Sequence, residues 1–173
     1  AGNYTFHLVA GSLAVTPATL TVTADPQTRV YGAANPGLTA SYAGFVNGQT
    51  LGTSDVTGSP ELSTLAVAGS PVGSYPISVT AGSLAAGNYT FHLVAGSLAV
   101  TPAGLTVTAD PQTRAYGQTN PVLTVSYAGF VNGEAAEVLG GVPAVSTVAD
   151  TNSPVGSYPI VISLGTITNG NYG

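Results

Sequence analysis

At 173 residues, with 44% apolar and only 5% charged side chains, Gly 23 and Pro 12, the chain reads as folded, turn-rich β structure and not as a disordered polymer. Arg29 and Arg114 are its only Lys or Arg residues against seven carboxylates, a net charge of −5 that excludes the clustered cations needed to bind nucleic acid or an acidic membrane surface. Cysteine is absent, which removes disulfides and thiol chemistry, and no apolar run of about 18 residues offers a transmembrane helix.

The first stretch, AGNYTFHLVAGSLAVTPA at 1–18, returns letter for letter at 86–103. LTVTADPQTRVYGAANPGLTASYAGFVNG at 20–48 likewise aligns without a gap on LTVTADPQTRAYGQTNPVLTVSYAGFVNG at 105–133, so the period is 85 residues. QTLGTSDVTGSP at 49–60 then faces the shorter EAAEVLGGVP at 134–143, and the offset falls to 83. If a unit opens at LTVTADPQTR and closes at SLAVTPA, residues 19–103 form a complete repeat module. Residues 1–18 are then terminal strands of a preceding repeat, and 104–173 a second module lacking its last strands. No charged-then-apolar leader opens the sequence, so any signal peptide is expected outside it.

Period-2 alternation predicts strands at 20–24, 38–42, 75–79, 89–94 and 97–101, with Thr, Val, Tyr and Ile suited to a half-buried pleated surface. ADPQ at 24–27 is a turn in which Pro26 fixes φ, and YGAANP at 31–36 and VNG at 46–48 supply Gly and Asn for left-handed positions. Pro76 and Pro159 are expected at a sheet edge or a strand's first residue, because proline donates no ladder bond. The junction VTPAGL at 100–105 is short and contains Pro102, which predicts an extended, stiff connection. NGEAAEVLGG at 132–141 predicts one or two helical turns capped by Asn132, with Glu134 and Glu137 at the positive end and Gly140 as the stop. The corresponding segment of the first repeat is a poorer helix former.

Each module is therefore expected to be mainly β, with five to seven antiparallel strands and at most one short helix. An Ig-like sandwich is the expected layout and a β-grasp-like sheet the alternative. The aromatic residues Tyr31, Tyr42, Phe45, Tyr75, Tyr89 and Phe91, with Tyr116, Tyr127, Phe130 and Tyr158 in the second module, are the candidate core.

Little in the chain suggests catalysis. His7 and His92 stand singly in TFHLV strands, no G-x-S-x-G elbow occurs, and neither a phosphate loop nor a dinucleotide fingerprint is present. Asp25 with Arg29, and Asp110 with Arg114, are the opposite-charge pairs of the two repeats and are expected to form structural ion pairs across the DPQT turn, or to stack Arg on Tyr31 or Tyr116. Calcium is the one cofactor worth weighing, but Asp55, Glu61, Glu134, Glu137 and Asp150 are scattered without a D-x-D-x-D run, so no cofactor or metal is expected.

The quoted blocks, followed by SPVGSYPI at 70–77 and AGNYTFHLVAGSLAVTPA, resemble the MBG domain of the YGX type, with Tyr31-Gly32 and Tyr116-Gly117 as the Tyr-Gly pairs. The resemblance spans nearly the whole chain in two copies. It implies Ig-like stalk modules of large bacterial surface or secreted proteins, often adhesin-like, with no enzymatic residues. The expected function is a non-catalytic, extracellular or cell-surface spacer. The alternative is a module that itself adheres to glycan or protein. Its expected partners are adjacent repeats or identical chains joined head-to-tail, with strand complementation one route, and host or matrix glycan or protein a further candidate.

Overall fold

The structure, a computed structural model, describes residues 2–173. Residues 2–17 lie outside any strand, with Tyr4, Phe6, Leu8, Val9, Leu13 and Val15 between 89% and 96% exposed. Ala18 then enters the first repeat, which carries β1 (Ala18–Ala24), β2 (Gln27–Val30), β3 (Ala40–Ala43), β4 (Glu61–Ser63), β5 (Gly73–Thr80), β6 (Tyr89–Val94) and β7 (Gly96–Thr101). They form a three-stranded sheet in the order β3-β1-β6 and a four-stranded sheet in the order β2-β7-β5-β4.

The alternation seen in the sequence sets which faces meet. Leu20, Val22 and Ala24 of β1 are fully buried, as are Ile77 of β5 and Leu98 of β7. Ala24, Ile77 and Leu98 share one cluster with Ala66, so the two sheets close on a common interior as a sandwich. A second cluster gathers Leu20, Val56 and Tyr89, flanked by Tyr42, Phe45 and Phe91.

The expected mainly β tandem modules are present, but the sheets are mixed, not wholly antiparallel. β1 runs parallel to β6 from Ala18↔Tyr89 to Thr23↔Val94, and β2 parallel to β7 from Gln27↔Leu98 to Val30↔Thr101. Alternation reports which face a residue presents and carries no information on strand direction, which depends on the connection between strands. The two continuous segments, 18–30 and 89–101, travel side by side and cross together from one sheet to the other. Asp25-Pro26 makes the crossing in the first segment. In the second it falls at Gly96, where a Cβ would lie 2.3 Å from the Ala24 carbonyl oxygen.

Pro76 lies inside β5 opposite Ser97, and β4 pairs β5 only at Ser78, Val79 and Thr80, so the proline sits where the strand has one neighbour. Pro159 immediately precedes β11.

The second repeat carries β8 (Thr106–Ala109) paired antiparallel with β9 (Val125–Ala128), and β10 (Ala144–Thr147) paired antiparallel with β11 (Ile160–Ser163). Its helical segment is a single 3-10 turn at Ala136–Val138, preceded by Ala135 without a side-chain cap. Asn132 was expected to cap it, but adopts a left-handed conformation with φ 56° inside the preceding turn. Asn47 does the same in the first repeat, so VNG acts as a turn and delays the helix. Among the described residues no helix is long and apolar enough to cross a membrane.

Candidate functional site at the repeat junction

The charged residues take partners other than those expected. Arg29 is 6% exposed and donates to Asn35 Oδ1 at 2.8 Å, to the carbonyls of Val30 and Ala68, and in a short bond to the Val67 carbonyl. Asn35 in turn donates to the Ala66 carbonyl at 2.6 Å, so the pair clamps the 64–70 loop onto β2. Asp25 accepts from the Thr39 hydroxyl at 2.7 Å. The expected Asp25–Arg29 ion pair is therefore replaced. Four residues along extended chain separate Cα atoms by about 13 Å, a distance that helical i, i+4 neighbours do not face. Arg114, Asn120 and Asp110 repeat the arrangement, with Arg114 donating to Asn120 Oδ1 at 2.7 Å and Asp110 accepting from Thr124 at 2.7 Å. Asp55 accepts from the amides of Gly87 and Asn88, and among the described residues no three His, Cys, Asp or Glu side chains gather into a metal-sized group.

The aromatic candidates divide by position. Tyr31 and Tyr89 are buried, while Tyr42, Phe45, Tyr75, Phe91, Tyr127 and Phe130 are half-buried. Tyr116 and Tyr158, expected in the core, are 66% and 36% exposed. Tyr31, the counterpart of Tyr116, is buried between Val72, Tyr75 and Val100 of its own repeat and Tyr172, Phe130 and Val131 of the following one.

Tyr31 follows β2, held by its amide donating to the Thr101 carbonyl at 2.8 Å. Its ring meets Tyr172 edge-on, with centroids 5.7 Å apart, and Phe130 meets Tyr172 edge-on at 5.4 Å. The Tyr31 hydroxyl donates to Glu134 Oε1 at 2.6 Å, and the Tyr172 hydroxyl to the other oxygen of the same carboxylate. These two hydroxyls, Tyr172 first, hold the Glu134 carboxyl below its ordinary range. Tyr31 is raised above the ordinary phenol value chiefly by donating to Glu134, and Tyr172 by burial and then by Glu134.

Beside them Gly32 has φ 82°, and a Cβ there would lie 2.5 Å from Val131 Cγ2. The Tyr-Gly pair is thus a plug: the ring enters the next repeat and the missing side chain lets Val131 close over the turn. The backbone completes the joint. Ala103 bridges Tyr172 in parallel register, its amide donating to the Asn171 carbonyl at 2.9 Å and its carbonyl accepting from Gly173. Val72 donates to Asn171 Oδ1 at 3.0 Å. The chain passes from β7 through Pro102 to β8 without leaving hydrogen-bonded structure, as the short VTPAGL segment predicts.

The same socket is built at the other end of the first repeat. Ala18 bridges Tyr89 in parallel, Tyr89 donates to Gln49 Oε1 at 2.5 Å, and the Val46 amide donates to the Tyr89 oxygen at 3.2 Å. Gln49, Tyr89 and Val46 are the counterparts of Glu134, Tyr172 and Val131. They line a cleft of about 330 Å³ with Thr16, Pro17 and Asn88. The role of Glu134 and Gln49 was not evident from either residue alone. The signal was their common offset of 85, shared with Tyr31 and Tyr116.

Two repeats joined through a Tyr-Gly turn place the chain. The MBG domain (YGX type) family matches residues 20–99 and 105–173. The chain belongs to this family. Each MBG repeat carries a Tyr-Gly turn, seated in the next repeat at Tyr31 and exposed at Tyr116, and each carries the Tyr, Val and Glu or Gln of a socket. Neither a curated protein nor a solved structure matches the chain.

Proposed function

We propose that this chain is a non-catalytic spacer: consecutive MBG repeats of a bacterial surface or secreted protein, holding a binding element away from the cell. The observation that supports the reading is the junction. A flexible linker would be rich in Gly and Ser and free of contacts. Here the connection contains Pro102, is hydrogen-bonded on both sides of it, and is flanked by the buried pair Tyr31 and Tyr172. A low count of charged side chains and the absence of Lys suit a module whose task is length and stiffness rather than recognition. Small-angle scattering from dilute solution tests the reading. The expected result is one elongated particle of a single length, and a broad spread of lengths from a swinging joint would remove it.

The adhesive alternative draws on Tyr116 and Tyr158, both exposed and lining one cleft of the second repeat. Saturable glycan binding that is abolished by Tyr158→Ala would replace the spacer reading.

A further inference from the structure

Small modules commonly reinforce their packing with covalent links. This chain has neither cysteine for a disulfide nor lysine for a side-chain amide cross-link. Tyrosine phenols, by contrast, couple to one another on oxidation. Among the aromatic contacts of the described residues, Tyr31 with Tyr172 alone sets two phenols together, while each of the others sets a tyrosine against Phe45 or Phe130. That one pair lies across the repeat junction.

The pair also carries its own base. Both hydroxyls donate to one carboxylate, Tyr31 to Glu134 Oε1 at 2.6 Å and Tyr172 to Glu134 Oε2. A phenol is neutral near pH 7, and removing an electron makes its proton strongly acidic, so a carboxylate already bonded to that proton lowers the barrier to oxidation. The Val131 amide donates to the Tyr172 oxygen at 3.1 Å and stays on it once the proton has gone. Both rings are buried, 4% and 9% exposed, so a radical formed on one meets the other and not a phenol of another chain.

We propose that Tyr31 and Tyr172 are an oxidative cross-linking site, joined as dityrosine by a one-electron oxidant with Glu134 as the proton acceptor. Each phenol gives one electron to the oxidant, two equivalents in all, and its proton passes to Glu134 and on to water. The two phenoxyl radicals form one carbon–carbon bond between the ring positions ortho to oxygen. The ring hydrogens at that bond then move to the oxygens and restore both phenols, so the product lacks two hydrogen atoms. The rings meet edge-on, and rotation about the soft χ2 of each would bring the ortho carbons together. The bond links residues on either side of Pro102 and makes a packed joint covalent. It does not rest on the spacer reading, since it needs only this contact inside the chain.

Oxidation of the dilute chain by a photo-oxidised ruthenium tris-bipyridyl complex, with persulfate as the final electron acceptor, tests it. The product is unfolded and cut with trypsin, which acts only after Arg29 and Arg114 and releases 1–29, 30–114 and 115–173. The expected result is 30–114 joined to 115–173, two hydrogen atoms lighter than their sum, with 1–29 separate and fragmentation placing the link at Tyr31 and Tyr172. Tyr31→Phe, which keeps the ring, loses the joined species. Glu134→Gln, which keeps an acceptor for the hydroxyls but takes up no proton, forms it on the order of 100-fold more slowly. Fragments that stay separate, a link placed on other tyrosines, or a Glu134→Gln variant that couples as fast as wild type overturns the proposal.

Discussion

Gly32 is the residue on which the junction turns, because it meets two demands at once: a left-handed φ of 82° and no atom where Val131 sits. Gly117 meets only the first, with φ 80° and nothing within 4 Å of a Cβ. Gly117→Ala is expected to cost only the backbone term, about 1–2 kcal/mol. Gly32→Ala is expected to cost a further ~1–3 kcal/mol for the collision with Val131, measurable as a difference in urea midpoints. Equal costs would mean that Val131 does not press on the turn.

Glu134 gives the same joint a dependence on pH. A carboxyl whose folded pKa is lowered contributes stability that is present above its unfolded value, about 4.3, and is lost as pH falls through the folded one. The raised tyrosines contribute below about 10 and lose their contribution as pH rises past it. The junction should therefore be firmest between these limits. Glu134→Gln, which copies Gln49 of the first repeat, should keep the joint while flattening the acid limb, read from Tyr172 ring shifts by NMR between pH 3 and 7. An unchanged acid limb would assign it to another carboxylate.

At the scale of elements, β2 is held less by charge than by the Arg29–Asn35 clamp. Asn35→Ala removes an acceptor from a buried guanidinium and the donor to the Ala66 carbonyl, at an expected ~1–3 kcal/mol. Asp25→Ala loses an exposed bond to Thr39 and should cost under about 1 kcal/mol. Thermal unfolding of the two variants separates a clamp from an ion pair, and the reverse order of costs would restore the pair.

What was legible in the sequence follows from the same physics. Alternation located β1, β5, β6 and β7 within a residue or two, since the buried face is written at every second position. Strand direction was not legible, because Ala18↔Tyr89 depends on a connection of some seventy residues. Tyr116 looked like core because Tyr31 did; burial of Tyr31 is completed by the neighbouring repeat, which no single unit encodes. The helix after VNG shrank to three residues because Asn132 was spent on a turn.

At the scale of the whole molecule, the pair of MBG repeats is expected to behave as one body. Its clusters do not stop at the boundary: Tyr31, Val100 and Ala103 are buried together with Tyr172, with Phe130 and Val131 packed on them. A joint built from interior contacts transmits orientation, and a row of such joints sets the shape of a stalk. The most direct test is the measurement of backbone residual dipolar couplings on the chain at neutral pH. Couplings from β1–β7 and from β8–β11 should fit a single alignment tensor. Two tensors of different magnitude would mean that the repeats turn independently about Pro102, and the account of a stiff junction would be wrong.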